Sequence, residues 1–176
     1  MSKVKNEPKY KSAALQAIRA QLEHRAFWLY FLCDEAGKRG LDWEDFGSAA
    51  VRRCGLTQGA DLVKKGKTDS LKGLRKTLIS KPAQLVFEMK IVESTDDKLS
   101  IDFHYCPLVK AWQNAGCTDE EIAKLCDIAI LRCAATTASG KTTAVCWICR
   151  NALPRAMTFA HCGIIKWSHD LKRRIK

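Results

Sequence analysis

The sequence predicts an α+β fold, and three observations support this prediction. Residues 12–33 carry apolar side chains spaced three and four apart, which is typical of a helix with one buried face. Residues 84–105 alternate between apolar and polar types around a polar turn, which is typical of a β-hairpin. The length of 176 residues suits one domain of ordinary size. We expect N-terminal helices, a β-hairpin at about 84–105 and two following helices around one core.

Composition divides the chain into three parts. Residues 1–11 are polar and basic, and we expect a disordered lead-in. Residues 12–129 carry the periodic patterns and are expected to form the α+β domain. Residues 130–176 form a basic, cysteine-rich tail without periodicity, which we expect to be irregular. Of the net charge of +11, residues 129–176 contribute +8, from nine Lys or Arg against one acid.

The first helix is expected to begin near Ser12 and to be ended by Gly37 and Gly40. Asp42 is expected to cap a second helix, which Gly55 ends. Residues 56–68 are then predicted as a polar loop.

A short basic helix is expected next, capped by Asp69 and ending near Pro82. Its lysines are interpreted as a solvated face rather than as an anion site. Two strands follow, at residues 85–91 and 99–105, with a turn at 94–98.

The last predicted elements are two helices. Pro107 suits the first helical position because it lacks the amide hydrogen that would have no partner there, which puts Cys106 at the N-cap. Gly116 ends this helix. Thr118 and Glu121 then form a capping box that begins a helix running to about residue 129.

Asp102, His104 and Cys106 are the candidate catalytic residues of this sequence. On a strand they share one face, while Leu99, Ile101, Phe103 and Tyr105 share the other. A cysteine near a helix N-terminus tends to ionise, because the positive end of the helix dipole stabilises the thiolate. The pattern therefore predicts a nucleophile with two polar neighbours.

Several segments carry a resemblance to one known family. They are His24-Arg25-Ala26, Gly40-Leu41-Asp42-Trp43-Glu44-Asp45-Phe46, Arg52-Arg53-Cys54-Gly55, Phe103-His104-Tyr105-Cys106-Pro107-Leu108-Val109-Lys110-Ala111-Trp112 and Leu125-Cys126-Asp127-Ile128-Ala129. Over about residues 20–129 the chain resembles the L-2-amino-thiazoline-4-carboxylic acid hydrolase family. The resemblance implies a bacterial-type cytosolic hydrolase that opens a cyclic amidine to an N-carbamoyl amino acid, with a small-molecule substrate and no cofactor or metal.

For that reaction Cys106 is interpreted as the nucleophile, His104 as the group that moves protons and Asp102 as the residue that orients the histidine. In an alternative, His104 and Asp127 activate water and Cys106 only shapes the pocket. A third interpretation is purely structural: a buried cysteine at a strand-helix junction and a hydrogen-bonded core histidine.

The tail departs from the family after Ala129. Family members typically end near a Gly-Asp-Asp-x-Cys motif, which is missing here. Permissible codons for residues 153–160, read one base out of frame, give Leu-Ala-Glu-Gly-Asp-Asp-Val-Cys, close to that ending. The hypothesis is that residues from about Ile130 onward are translated out of frame, which would impair the enzyme.

Other functions are open at this stage. His104 and Cys106, or the tail residues Cys146, Cys149, His161 and Cys162, could bind zinc. A non-catalytic small-molecule binder is a further alternative. Nucleic acid is expected to bind only non-specifically, through the basic tail. The segment 139–143 resembles the end of a phosphate-binding loop but lacks its earlier glycine.

The expected compartment is the cytoplasm. Nine cysteines at irregular spacing, with no secretory pattern at the N-terminus, predict reduced thiols rather than a disulfide framework. The most apolar run, residues 26–33, is far shorter than the roughly 20 residues that span a bilayer, so no membrane association is expected. The sequence does not indicate the oligomeric state.

Overall fold

The computed structural model describes residues 2, 4–66, 75–76, 79–95 and 98–130, and in the tail the backbone of residues 135–136, 142–143, 145–150 and 161–166. Its helices are α1 (Ala13–Lys38), α2 (Trp43–Gly66), α3 (Lys81–Val86), α4 (Pro107–Asn114) and α5 (Asp119–Ile130). Its strands are β1 (Met89–Ser94), β2 (Lys98–Phe103), β3 (Ala135–Thr136), β4 (Thr142–Thr143), β5 (Val145–Arg150) and β6 (His161–Lys166). The predicted α+β class is confirmed.

The predicted hairpin is present as β1 and β2, which pair antiparallel with Ile91 opposite Ile101. Its observed limits, 89–103, are narrower than predicted. The register shifts between Ile91 and Glu93, so one residue of β1 is extra at that point.

The described parts of the tail add two strands to this hairpin. The strand order is β1-β2-β6-β5, and all neighbours are antiparallel. In the β2–β6 pair, Asp102 lies opposite His161. The prediction of an irregular tail is wrong for these backbone ranges, because β5 and β6 consist largely of apolar and β-branched types that favour strands. They lack the strict alternation on which the sequence prediction relied.

The predicted starts of the first two helices are confirmed. The hydroxyl of Ser12 accepts a hydrogen bond from the amide of Leu15 at 3.3 Å. Oδ1 of Asp42 accepts from the amide of Glu44 at 2.7 Å. Gly40, just past the end of α1, has φ = +78°, a conformation that glycine adopts without strain.

The predicted starts of the last two helices are confirmed as well. Cys106 is the N-cap of α4 and Pro107 its first residue. Thr118 and Glu121 form the capping box of α5, with backbone-to-side-chain distances of 2.7 and 3.2 Å. Between the two helices, Gly116 has φ = +83°.

The second helix runs further than predicted. It passes through Gly55 and ends at Gly66, so the expected loop at 56–68 is wrong over most of its length. A single glycine inside a helix costs about 1 kcal/mol, which neighbouring residues can offset. The hydroxyl of Thr57 donates to the carbonyl of Arg53, one turn earlier, inside this helix. The basic helix expected from Asp69 lies mostly outside the described residues.

Residues 85 and 86 were expected in a strand but belong to helix α3. The side chain of Ser80 caps this helix by accepting from the amide of Ala83. At its other end, Arg19 of α1 donates to the carbonyls of Leu85 and Val86 at 3.2 and 3.0 Å. Arg19 lies far from these carbonyls in the sequence. A short sequence window therefore contains only the local alternation, which favours a strand.

The main core lies where α1, α2, α4 and α5 meet. Its buried residues are Ala26, Cys33, Ala111, Trp112, Cys117, Ile122, Leu125 and Ile128. The indole N–H of Trp112 donates to the carbonyl of Ala26 at 3.0 Å, which joins α4 to α1. Residues 26–33 are apolar on nearly all sides, which predicts that other elements cover them. In the part of the chain that the structure describes this prediction is wrong, because Trp28 is 61% exposed and Phe31 53%.

Candidate functional site

The apolar face predicted for the second strand is confirmed. Leu99, Ile101 and Tyr105 are buried, and Phe103 is half-buried against the edge of the Phe87 ring. This face fixes the register of the segment, since a slip by one residue would expose all of its apolar side chains.

The polar residues lie at alternate positions, as predicted. Asp102 is half-buried in β2, Cys106 is half-buried before α4, and His104 is exposed in the bend between them. The amide of His104 donates to the carbonyl of Glu88 at 3.2 Å, which continues the hairpin pairing beyond β2. His104 is therefore not a core histidine, and the purely structural interpretation fails for this residue.

Cys106 lies at the junction where the extended chain turns into α4. Its backbone is extended (φ −134°, ψ 113°), and its carbonyl accepts the first intrahelical hydrogen bond, from Lys110 at 3.1 Å. Its side chain makes no capping hydrogen bond to the first turn of the helix. The thiol therefore lies beside a helix N-terminus whose amides and dipole favour an anion.

An N-terminal arm, residues 4–10, contacts this junction. The side chain of Asn6 accepts a hydrogen bond from the amide of Cys106 and donates one to its carbonyl, both at 2.9 Å. Asn6 is only 3% exposed. The prediction of a disordered lead-in is therefore wrong for the arm, because its polar side chains satisfy backbone groups of the domain.

A buried ion pair anchors the far end of the arm. Oε1 of Glu88 accepts hydrogen bonds from the amides of Lys9 and Tyr10, at 2.7 and 3.0 Å. The same oxygen lies 3.1 Å from Nη2 of Arg19, and both side chains are buried. Glu88 has φ = +50°, a conformation uncommon for a residue with a side chain. The contacts of its carboxylate hold that backbone in place.

Tyr105 connects this ion pair to the cysteine. The guanidinium of Arg19 stacks over its ring at 4.4 Å from the centroid. Burial, together with the nearby carboxylate of Glu23, raises the pKa of Tyr105 to about 12. Tyr105 therefore stays a neutral phenol at physiological pH, hydrogen-bonded to Glu23 and near Cys106.

Asp127 lies in a different environment. It is on α5, and its pKa is raised by burial and by the carboxylate of Glu44 at the start of α2. No contact given for the described residues joins Asp127 to the segment 102–106. The structure thus places Asp102, His104 and Cys106 along one segment and Asp127 beside another helix.

An open groove of about 1050 Å³ runs beside the arm. Its walls are residues of the arm and of the α4–α5 turn, including Asn6, Lys110 and Gln113. Asn6 is thus shared between this groove and the backbone of Cys106.

Sequence reasoning did not identify Asn6, Arg19, Glu23 or Glu88. Asn6 and Cys106 are 100 positions apart, and Arg19 and Glu88 are 69 apart. No local pattern connects such pairs. Glu88 fitted a polar position of the strand alternation expected there, so its buried pairing gave no signal in the sequence.

The described side chains give no support to the hypothesis of a metal site. Among the side chains that the structure describes, no three His, Cys, Asp or Glu lie close enough to hold an ion. The tail ligands Cys146, Cys149, His161 and Cys162 have side chains outside the described set. Among the described helices, none combines the length and apolarity needed to cross a membrane.

Comparison with known proteins gives one result. The family model described as L-2-amino-thiazoline-4-carboxylic acid hydrolase matches residues 19–138, more than half of the chain. No curated protein and no solved structure matches significantly.

Proposed function

Because the chain belongs to the L-2-amino-thiazoline-4-carboxylic acid hydrolase family, we propose that it opens a cyclic amidine of the 2-amino-thiazoline-4-carboxylate type to an N-carbamoyl amino acid. The observation that carries this proposal is the family match over residues 19–138, which contains the entire segment 103–112. The position of Cys106 beside the start of α4 supports a nucleophilic role.

In the first step, the Cys106 thiolate attacks the amidine carbon between the ring sulphur and nitrogen. The ring C–S bond then breaks, and the departing sulphur takes a proton and becomes the thiol of the opened substrate. The amidine carbon stays bonded to Cys106. No atom is lost, so this covalent intermediate has the mass of enzyme plus substrate.

In the second step, water attacks the same carbon and the bond to the Cys106 sulphur breaks. The carbon becomes the carbonyl of the N-carbamoyl product, and the thiolate is regenerated. His104 is the proposed proton carrier in both steps, since its exposed ring can exchange protons with solvent. Asp102, two residues away on the same face, is proposed to orient it.

A direct attack by water, activated by His104 and Asp127, is the competing mechanism. Its Asp127 lies on α5, outside the segment that carries His104, whereas Cys106 lies two residues from His104. This placement supports the cysteine mechanism as the better of the two.

The test is thiol release from 2-amino-thiazoline-4-carboxylate by the purified full chain and its variants. We expect Cys106→Ser and Cys106→Ala to lose at least about 100-fold in kcat, because the covalent route is closed. The matched control is Cys54→Ser, at an exposed cysteine on α2, which should turn over normally. Undiminished turnover by Cys106→Ser would exclude Cys106 as the nucleophile.

We also propose that the tail from about Ile130 is read out of frame and impairs this activity. The end of the family match at residue 138, close to that point, supports the proposal. Sequencing the gene tests it, and restoring the frame should raise turnover. An uninterrupted reading frame in which close relatives carry the same tail would disprove it.

The partner is proposed to be the small-molecule substrate, and the compartment the cytoplasm. The five cysteines whose side chains are described, Cys33, Cys54, Cys106, Cys117 and Cys126, are outside disulfides, which agrees with a reducing compartment.

A further inference from the structure

We propose that Asn6 is a positioning residue for Cys106, so that the N-terminal arm is a working part of the site. The inference rests on the proposed function, because it concerns the same cysteine. It adds a residue that lies 100 positions before the cysteine and outside the family match, which begins at residue 19.

Two hydrogen bonds join the side-chain amide of Asn6 to the backbone of Cys106. Oδ1 of Asn6 accepts from the Cys106 amide and Nδ2 donates to the Cys106 carbonyl, both at 2.9 Å. The two bonds reproduce the pairing that a neighbouring strand would make. They hold Cys106 extended, with φ −134° and ψ 113°, at the residue where α4 begins.

That conformation determines where the thiol lies. An N-cap residue must be extended while the next residue is helical, so its side chain is directed by its own φ and ψ. Cysteine is a poor cap, and its side chain makes no capping bond here. Asn6, from a distant part of the chain, supplies the backbone restraint that a serine or aspartate cap would supply itself.

The arm is tied down on both sides of Asn6, so the amide is held rigidly. Before it, the side-chain amide of Gln113 donates to the carbonyl of Val4 at 2.7 Å. After it, the carboxylate of Glu88 accepts from the amides of Lys9 and Tyr10. Burial to 3% exposure makes the loss of either bond costly, because water cannot easily replace it.

The primary test is the pH dependence of alkylation of Cys106 by iodoacetamide in the full chain, followed by peptide mass spectrometry. Cys54 in the same molecule is the internal reference, since it is an exposed cysteine on a different helix, α2. For Asn6→Ala we expect the Cys106 profile to move to higher pH, because the thiol shifts away from the helix N-terminus. The Cys54 profile should stay where it is.

Turnover provides the second readout. Asn6→Ala should lower kcat about 100-fold with KM nearly unchanged, as expected for a misplaced nucleophile. Asn6→Asp has almost the same shape, keeps the acceptor and loses the donor. If Asn6→Ala does not fold, Asn6→Asp takes its place in the test. Its negative charge should move the pH profile of Cys106 alkylation to still higher pH. The matched control is Glu35→Ala, at an exposed side chain near the end of α1 that pairs with Lys38 and Arg39.

An unchanged Cys106 alkylation profile in folded Asn6→Ala or Asn6→Asp would overturn the positioning role. This outcome is distinct from failure of the proposed function, which would appear as full turnover by Cys106→Ser. The alkylation result decides the role of Asn6 even in a chain that does not turn over.

Discussion

At the residue scale, Arg19 connects several separate parts of the chain around the site. Its guanidinium donates to the carbonyls of Tyr10, Leu85 and Val86 and pairs with Glu88. The same group stacks on Tyr105. One side chain of α1 thus connects the arm, the end of α3 and the residue next to the cysteine.

Replacing Arg19 by Met should destabilise the protein by about 3–5 kcal/mol, because Glu88 would be left charged and buried without its partner. Glu88→Gln, which removes the opposite charge, should also destabilise it. The control is Lys38→Met, at an exposed pair on the end of α1, which should leave the urea midpoint unchanged. Urea unfolding followed by circular dichroism checks this. Equal midpoints for Arg19→Met and Lys38→Met would contradict it.

Asp127 gives a prediction about pH. Its raised pKa means that the folded state favours the protonated carboxyl, so its stabilising contribution is complete below the ordinary pKa of 3.8 and is lost as pH rises through the folded value. Asp127→Asn removes the charge and should be more stable than the parent at neutral pH, with the difference vanishing in acid. Thermal melts at a series of pH values measure this. A variant less stable at neutral pH would contradict the prediction.

At the element scale, the sequence predicts the ends of elements well where the determinants are local. Asp42 and the Thr118–Glu121 box cap their helices as expected, α1 begins next to Ser12 and Pro107 begins α4. Each of these contacts spans only a few residues, so a short sequence window contains it.

The misassigned elements have determinants elsewhere in the chain. Residues 85–86 alternate like a strand, but Arg19 binds the carbonyls that a helix leaves open there. The arm has the composition of a disordered segment, yet Asn6 and Glu88 hold it. In the site, Cys106 could be identified from its motif, whereas Asn6 could not, because its partner is 100 residues away.

Gly47 of α2 lies close to side chains of α1 and α5, so its replacement tests how these three helices pack. A Cβ at this position of α2 would lie 2.9 Å from Cγ2 of Ile128 and 3.2 Å from the sulphur of Cys33. Gly47→Ala should therefore destabilise the protein by about 1–3 kcal/mol, since overpacking outweighs the gain in helix propensity.

A double-mutant cycle in urea gives the control for Gly47. In an Ile128→Ala background the crowding methyl is gone, and Gly47→Ala should cost less than in the parent chain. Equal costs in both backgrounds would show that α2 and α5 do not pack as described.

At the scale of the whole molecule, the candidate site is assembled from both ends of the described domain. The arm supplies Asn6, α1 supplies Arg19 and Glu23, and the hairpin leads into Cys106. The backbone of β6 pairs with β2 directly beside Asp102. A change in the tail would therefore act on the strand that carries Asp102, which is how an altered reading frame would affect activity.

The most direct measurement of the central claim is rapid-quench mass spectrometry of the full chain mixed with 2-amino-thiazoline-4-carboxylate. The cysteine mechanism predicts an adduct with the mass of one intact substrate on the peptide that contains Cys106, appearing before product and absent from Cys106→Ser. Product formed at the parental rate by Cys106→Ser, with no adduct on any cysteine, would contradict the account.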